Sequence, residues 1–289
     1  MDVRLERFLL LSLVLILGGL LSAVPCGAAS VRAFVSILPQ AYFVERIGGD
    51  HVQVDVLVGP GQSPATYEPT PREIAALEKA DVYFRIGTPF ENAFVEKIAR
   101  ILPGLRIVDT RRGVKLRFFR GEGERQVPDP HIWLDPMRVK TQARTICDAL
   151  SDLAPGLSGA FEDNLRAFHR DLDALDERLR NVLAPLRSRK ILVFHPAFGY
   201  FCDAYGLEQI AVETEGKAPG PKRLADLIDM AREEEIRIIF VQPQYSKKSA
   251  GTIAEAISGT VIPLDPLARD YLDNLRRMAE AVREGLTSP

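Results

Sequence analysis

Residues 156–187 read GLSGAFEDNLRAFHRDLDALDERLRNVLAPLR, and this stretch organises the whole chain. Phe161, Leu165, Phe168, Leu172, Leu175, Leu179, Val182 and Leu186 recur at alternating spacings of four and three. That is one apolar stripe on a helix of period 3.6. No Gly or Pro interrupts the run between Phe161 and Ala184. Some thirty helical residues span about 45 Å at 1.5 Å each, more than one small domain needs. The expectation is a single stiff helix running along two lobes, rather than a helical hairpin folded within one.

Working outward, both flanks alternate strands and helices. Before the long helix, strands are expected over 31–37, 52–58, 82–86 and 105–108. Helices are expected over 39–47, from Pro71, over 90–101 and over 136–153. Residues 110–130 read as a charged loop. After it come strands over 191–194, 208–212, 236–241 and 260–264, with helices over 198–205, 221–235, 248–257 and 271–286. Alternation of this kind builds a parallel sheet covered on both faces. The fold class is therefore α/β: two α/β lobes with parallel sheets, one long rigid linking helix, and a cleft between the lobes. The expected divisions are 1–29, 30–155, 156–187 and 188–289.

Composition narrows the function. The chain has 289 residues, 46% hydrophobic and 26% charged, an ordinary globular balance. Net charge is -2, so no nucleic-acid partner is expected. Arg4 and Arg7 precede an apolar run over 8–21, and small residues follow up to Ser30. That pattern is a secretory leader, cleaved after Ala28 or Ala29, and it is short for a spanning helix. An uncleaved N-terminal anchor and lipidation at Cys26 are the alternatives. The mature chain is then exported with two cysteines, Cys147 and Cys202, expected as buried thiols on separate lobes. There is no CxxC.

In open α/β sheets, ligands bind beyond the carboxyl ends of the strands. His195 follows the strand ending at Phe194, and Asp265 follows the strand ending at Leu264. His131 follows Pro128-Asp-Pro130, directly before a helix. Any one of them alone reads as a structural residue. Two imidazoles and a carboxylate facing one crevice form a divalent-metal site. Asp135 and Glu213 are candidates to fix a histidine tautomer. His51 and His169 read as solvated.

These residues lie in segments that resemble the metal-specific solute-binding proteins of ABC importers, the ZnuA/TroA-like group. The segments are Tyr67-Glu-Pro-Thr-Pro71, Asp129-Pro-His-Ile-Trp-Leu-Asp-Pro136, Phe194-His-Pro-Ala-Phe-Gly-Tyr-Phe201, Gln242-Pro-Gln244 and Leu264-Asp-Pro-Leu267. The resemblance covers essentially the whole mature chain. It implies a metal buried between two lobes, with His131, His195 and Asp265 as ligands. It also implies capture of Zn²⁺ (Mn²⁺ as the alternative) in the periplasm or another extracytoplasmic space, and delivery to an ABC permease. The expected chain is a monomer, touches the membrane only through the permease or an uncleaved anchor, and carries no catalytic cofactor.

One departure stands out. The family pattern Pro-His-x-Tyr-Glu-Pro reads Pro64-Ala65-Thr66-Tyr67 here, so Ala65 replaces the first ligand histidine. Gln62 and Glu68 are the nearby side chains that would substitute. The loss opens two further readings: a binder of a metal chelate or other small solute, and a secreted zinc hydrolase with water in the open position. No HExxH and no Gly-x-Ser-x-Gly supports the hydrolase, so the chain reads as a binding protein and not an enzyme.

Overall fold

A computed structural model describes residues 31–120, 126–213 and 219–287. Two four-stranded parallel sheets carry the chain. The first contains β1 (Val31–Ile37), β2 (Val52–Val58), β3 (Val82–Arg85) and β4 (Arg106–Asp109), in the order β2-β1-β3-β4. A short antiparallel pair follows, β5 (Phe118–Arg120) and β6 (Gln126–Pro128). The second sheet contains β7 (Lys190–Val193), β8 (Glu208–Ala211), β9 (Ile238–Val241) and β10 (Thr260–Pro263), in the order β8-β7-β9-β10. The two orders are the same when each sheet is numbered from its own first strand. Each sheet changes winding direction beside its first strand, at β1/β3 and at β7/β9. The crevice for a ligand lies outside the carboxyl ends of those strands.

Local chemistry sets the helix boundaries. In the first lobe these are α1 (Leu38–Gly48), α2 (Pro71–Leu77), α3 (Glu91–Ile101) and α4 (Pro136–Leu153). Pro39, Pro71 and Pro136 each fall in a first turn, where no N–H is needed. Thr70 and Glu73 form a reciprocal capping box on α2, and Asp135 caps α4 by accepting from the Met137 N–H at 2.9 Å. The second lobe carries α6 (Gly199–Tyr205), α7 (Pro221–Glu233), α8 (Lys247–Ala256) and α9 (Tyr271–Thr287). Helix α6 ends on Gly206, whose φ of 67° belongs to the left-handed region.

Between the lobes runs α5 (Ser158–Leu183), 26 residues and about 39 Å long. Phe161, Leu165, Phe168, Leu172, Leu175 and Leu179 are all buried. The next buried member is Leu183 rather than Val182, a full turn of four after Leu179. Leu186 is buried too, but beyond the helix end. The stripe packs on α1, α4 and α9, so one helix touches the helical layers of both lobes. Asn164 Nδ2 donates to the Ile47 carbonyl at 2.9 Å, and the Arg46 guanidinium stacks over Phe168 at 5.0 Å while pairing with Asp171. Each buried leucine of the stripe contributes about 2 kcal/mol by leaving water.

Several expectations need correction. Residues 110–130 are not wholly loop, because β5 and β6 pair within them. Three-residue strands are too short to show a period in sequence. His51 is half-buried, its ring 6.5 Å from Phe161. His169 is also half-buried rather than exposed: it sits on the rim of the α5 stripe, with Nε2 3.2 Å from the Lys140 carbonyl oxygen. Cys147 and Cys202 are free and buried. The expected leader over 1–29, Cys26 included, lies outside the described residues. Among the described residues no helix is long and apolar enough to cross a membrane.

Candidate metal centre

The lobes meet along a set of long-range hydrogen bonds that frame a cavity. Trp133 Nε1 donates to the Pro266 carbonyl at 2.7 Å, and Tyr271 Oη donates to the Trp133 carbonyl at 2.8 Å. Tyr200 Oη accepts from the Arg117 N–H at 2.7 Å and donates to the Asp129 carbonyl at 3.0 Å. The Arg117 guanidinium bonds the Gly199 carbonyl and pairs with Asp203 at 2.6 Å. A Cβ on residue 199 would stand 2.7 Å from Arg117 Cζ, so glycine lets the guanidinium lie in this place without shifting.

Inside this frame His131 and His195 face each other, with ring centroids 5.4 Å apart. His131 comes from the turn before α4, and His195 lies two residues beyond β7. Each ring is held through Nδ1 by a buried carboxylate. Asp129 Oδ1 accepts from His131 Nδ1 at 2.7 Å and from the His131 backbone N–H at 3.0 Å. Glu213 Oε1 accepts from His195 Nδ1. Asp129 is 1% exposed and Glu213 4%. With Nδ1 donating to a carboxylate, Nε2 keeps its lone pair, the arrangement metal-binding imidazoles adopt.

Packing fixes both rings further. Tyr245 stacks on His195 at 5.0 Å with a 20° tilt, and Trp133 lies 5.2 Å from His131. The His195 backbone is clamped by the buried Gln242 amide, which donates to the His195 carbonyl at 2.8 Å and accepts from its N–H at 3.3 Å. Burial lowers the His195 pKa below its usual value, against the raising effect of the Glu213 bond. The ring is therefore neutral, ready to bind, at neutral pH.

Asp265 stands at the end of β10, one residue after Leu264. Its Oδ1 accepts from the Leu267 N–H at 2.9 Å and, at 3.5 Å, from Gln244 Nε2. Among the described residues Asp265 Oδ2 accepts no hydrogen bond, and no three His, Cys, Asp or Glu side chains stand close enough to hold a metal ion as they are. The structure thus brings the two histidines together, whereas Asp265 is not among the residues that line the cavity, although Gln244, Pro266 and Leu267 around it are. Of the candidate supports, Glu213 does hold a histidine, whereas Asp135 is spent on the α4 cap and on Arg138 at 2.7 Å. Asp129 was missed, although its place two residues before His131, on the same turn, is the signal that would have found it. Gln62 turns back to accept from the Gly59 N–H at 2.7 Å, and Glu68 is exposed; neither lines the cavity. Ala65 does line it.

The cavity has a volume of about 970 Å³. Its walls include Phe119, Val127 and Tyr245, with Arg111 and Arg223 among its polar residues. The carbonyl ends of β7 and β9 open into it, where the winding of the second sheet reverses.

The chain is similar to known metal-binding proteins in sequence and in fold. The family model of ZnuA, described as the periplasmic component A of a zinc-uptake complex, matches residues 34–285. A protein of Chlamydia muridarum, named for metal binding, is 30% identical over 252 residues, 86% of this chain and 90% of its own. The zinc-binding lipoprotein AdcA of Streptococcus pneumoniae serotype 4 is 27% identical over 243 residues, covering 79% of this chain and 48% of AdcA. A crystal structure of ZnuA superposes with a TM-score of 0.85 at 40% identity, covering 89% of this chain and all of that one. A zinc-bound ZnuA deletion mutant gives 0.86 at 40% identity, covering 90% and 99%.

Proposed function

Because the chain belongs to the ZnuA family, we propose that it is an extracytoplasmic solute-binding protein that captures a divalent metal ion and passes it to the permease of an ABC importer. Zinc is favoured over manganese. The observation that carries the reading is the facing pair His131 and His195, one from each lobe, each with Nδ1 tied to a buried carboxylate and Nε2 left for an ion. Two imidazoles suit Zn²⁺ better than Mn²⁺. Asp265 Oδ2 is the third donor in this proposal, and the loop after β10 has to move for it to reach the ion.

The chain's residues bind and orient; they perform no chemistry on the cargo. The carboxylates hold the imidazoles in one tautomer, the Gln242 clamp fixes the backbone of His195, and Tyr245 and Trp133 stop the rings from turning. Binding releases whatever protons the imidazoles carry, so affinity falls with pH. The interlobe bonds of Trp133, Tyr200, Tyr271 and Arg117 favour release by local loop movement over a wide hinge. In the same reading the chain comprises an export leader over 1–29, lobes over 30–155 and 188–289, and the linking helix over 156–187. It works as a monomer.

Titration calorimetry of the metal-stripped chain tests the proposal. One Zn²⁺ per chain, bound more tightly than Mn²⁺, is expected, with a buffer-dependent heat of proton release that grows only in acid, where the imidazoles become protonated. No binding of either ion would overturn it.

A further inference from the structure

We propose that the captured ion is held as a ternary complex with a small polycarboxylate that fills the cavity beside the histidine pair. The inference rests on the metal-capture reading above and names what else occupies the same site. Its first ground is volume. The cavity of about 970 Å³ is at the upper end of the range that holds organic ligands, roughly 300–1,000 Å³. An ion and one or two waters, at about 30 Å³ each, leave most of it unfilled.

Its second ground is charge. Among the described residues lining the cavity there is one carboxylate, Glu213, and it is already engaged by His195 Nδ1. Against it stand two guanidinium groups. Arg111 is a fixed one: its Nε and Nη2 donate to Asp109 at 2.9 and 2.6 Å, while Nη1 lies against Gly87 with no protein acceptor among the described residues. A Cβ at position 87 would stand 2.5 Å from that Nη1, and Gly87 has φ +93°, so glycine admits the guanidinium to the wall. Arg223, in the first turn of α7, forms no ion pair among the described residues. A dication placed on the histidine pair adds two positive charges to this lining. Asp129 and Glu213 behind the rings, together with Asp265, offset the dication, which leaves an open coordination position at the ion and an unpaired guanidinium at Arg223.

A ligand that answers both centres carries at least two separated carboxylates. One completes the coordination shell in the direction of Ala65, which has no donor to offer, and the other meets Arg223 and the free edge of Arg111. Carboxylate oxygen is an ordinary ligand of Zn²⁺. The apolar walls at Phe119, Val127 and Tyr245 accommodate the carbon backbone between them.

Equilibrium dialysis with radiolabelled citrate as the probe, alongside zinc analysis of the same samples, tests this. The zinc-loaded wild-type chain is expected to retain one citrate per chain, and the metal-stripped chain none. Arg223→Gln, which lies outside the metal ligands, is expected to keep its zinc and to hold citrate at least tenfold more weakly. Three results would overturn the proposal: citrate stripping the zinc, the zinc-loaded chain holding no citrate when citrate is supplied, or Arg223→Gln retaining citrate as well as wild type does. Absence of zinc from the samples that hold no citrate would instead overturn the metal-capture reading itself, which separates the two failures.

Discussion

The two halves of the centre are built differently on the same topology. Both sheets have one strand order, and each lobe contributes one histidine with one carboxylate behind it. In the first lobe the partner is local: Asp129 sits two residues before His131 and bonds both its ring and its backbone. In the second lobe the partner is remote in sequence. Glu213 follows β8, 18 residues from His195, and the Gln242 clamp comes from beyond β9, 47 residues away. The first histidine is thus set by its own turn. The second is set only when β7, β8 and β9 have paired, so its geometry reports on the integrity of the whole second sheet.

The experiments that break this comparison begin with the ligands. His131→Ala and His195→Ala are each expected to weaken zinc binding by at least about 100-fold, beyond the range of outer-shell changes, while the far-UV circular dichroism spectrum stays that of the wild type. Next come the carboxylates. Glu213→Gln and Asp129→Asn are each expected to cost about 10–100-fold in zinc affinity by calorimetry. Gln242→Ala sharpens the contrast. It removes two buried backbone partners of His195 and is expected to cost about 1–3 kcal/mol of stability in urea unfolding, together with a fall in zinc affinity of about tenfold. Among the described residues no comparable remote residue clamps His131, so an equal coupling of stability and affinity through the first lobe would erase the distinction.

The pH dependence follows from His195. Burial depresses its folded pKa below the unfolded value of 6.5. Neutral imidazole is the form that both the fold and the metal require. Stability from this group is therefore complete above the unfolded pKa and declines as pH falls toward the depressed folded value. Zinc affinity is expected to hold between pH 8 and 6.5 and to decline only below that. A decline that begins well above pH 7 would contradict the buried, neutral assignment. The smallest expected effect is a gain. Ala65→His adds a donor to the cavity wall and is expected to tighten zinc binding by about tenfold, read in a competition titration.

Much of this was legible in the sequence, for reasons that differ by region. The α5 stripe declared itself because seven turns of 3.6-period burial leave a long pattern. Strands β1 and β2 were bounded to the residue because β-branched runs end at Pro39 and Gly59. His131 and His195 stood out because topology puts ligands at strand and loop ends, whereas Glu213 was only one of two candidate carboxylates whose ordinary reading is a solvated one. The misses share a cause. Asp135, taken as a histidine partner, serves a helix cap, and sequence does not tell one buried carboxylate role from another. Strands β5 and β6 were too short for periodicity. The half-burial of His169 arises from its packing beside α4, a tertiary contact that leaves no mark on the α5 period.

The most direct test of the central claim is X-ray absorption at the zinc K-edge on the loaded chain. Two imidazole ligands are expected, with Zn–N near 2.0–2.1 Å, and each of the two histidine variants is expected to lose one. A spectrum with no imidazole, or with two imidazoles retained in His131→Ala, would contradict the assignment of one histidine from each lobe to a single ion.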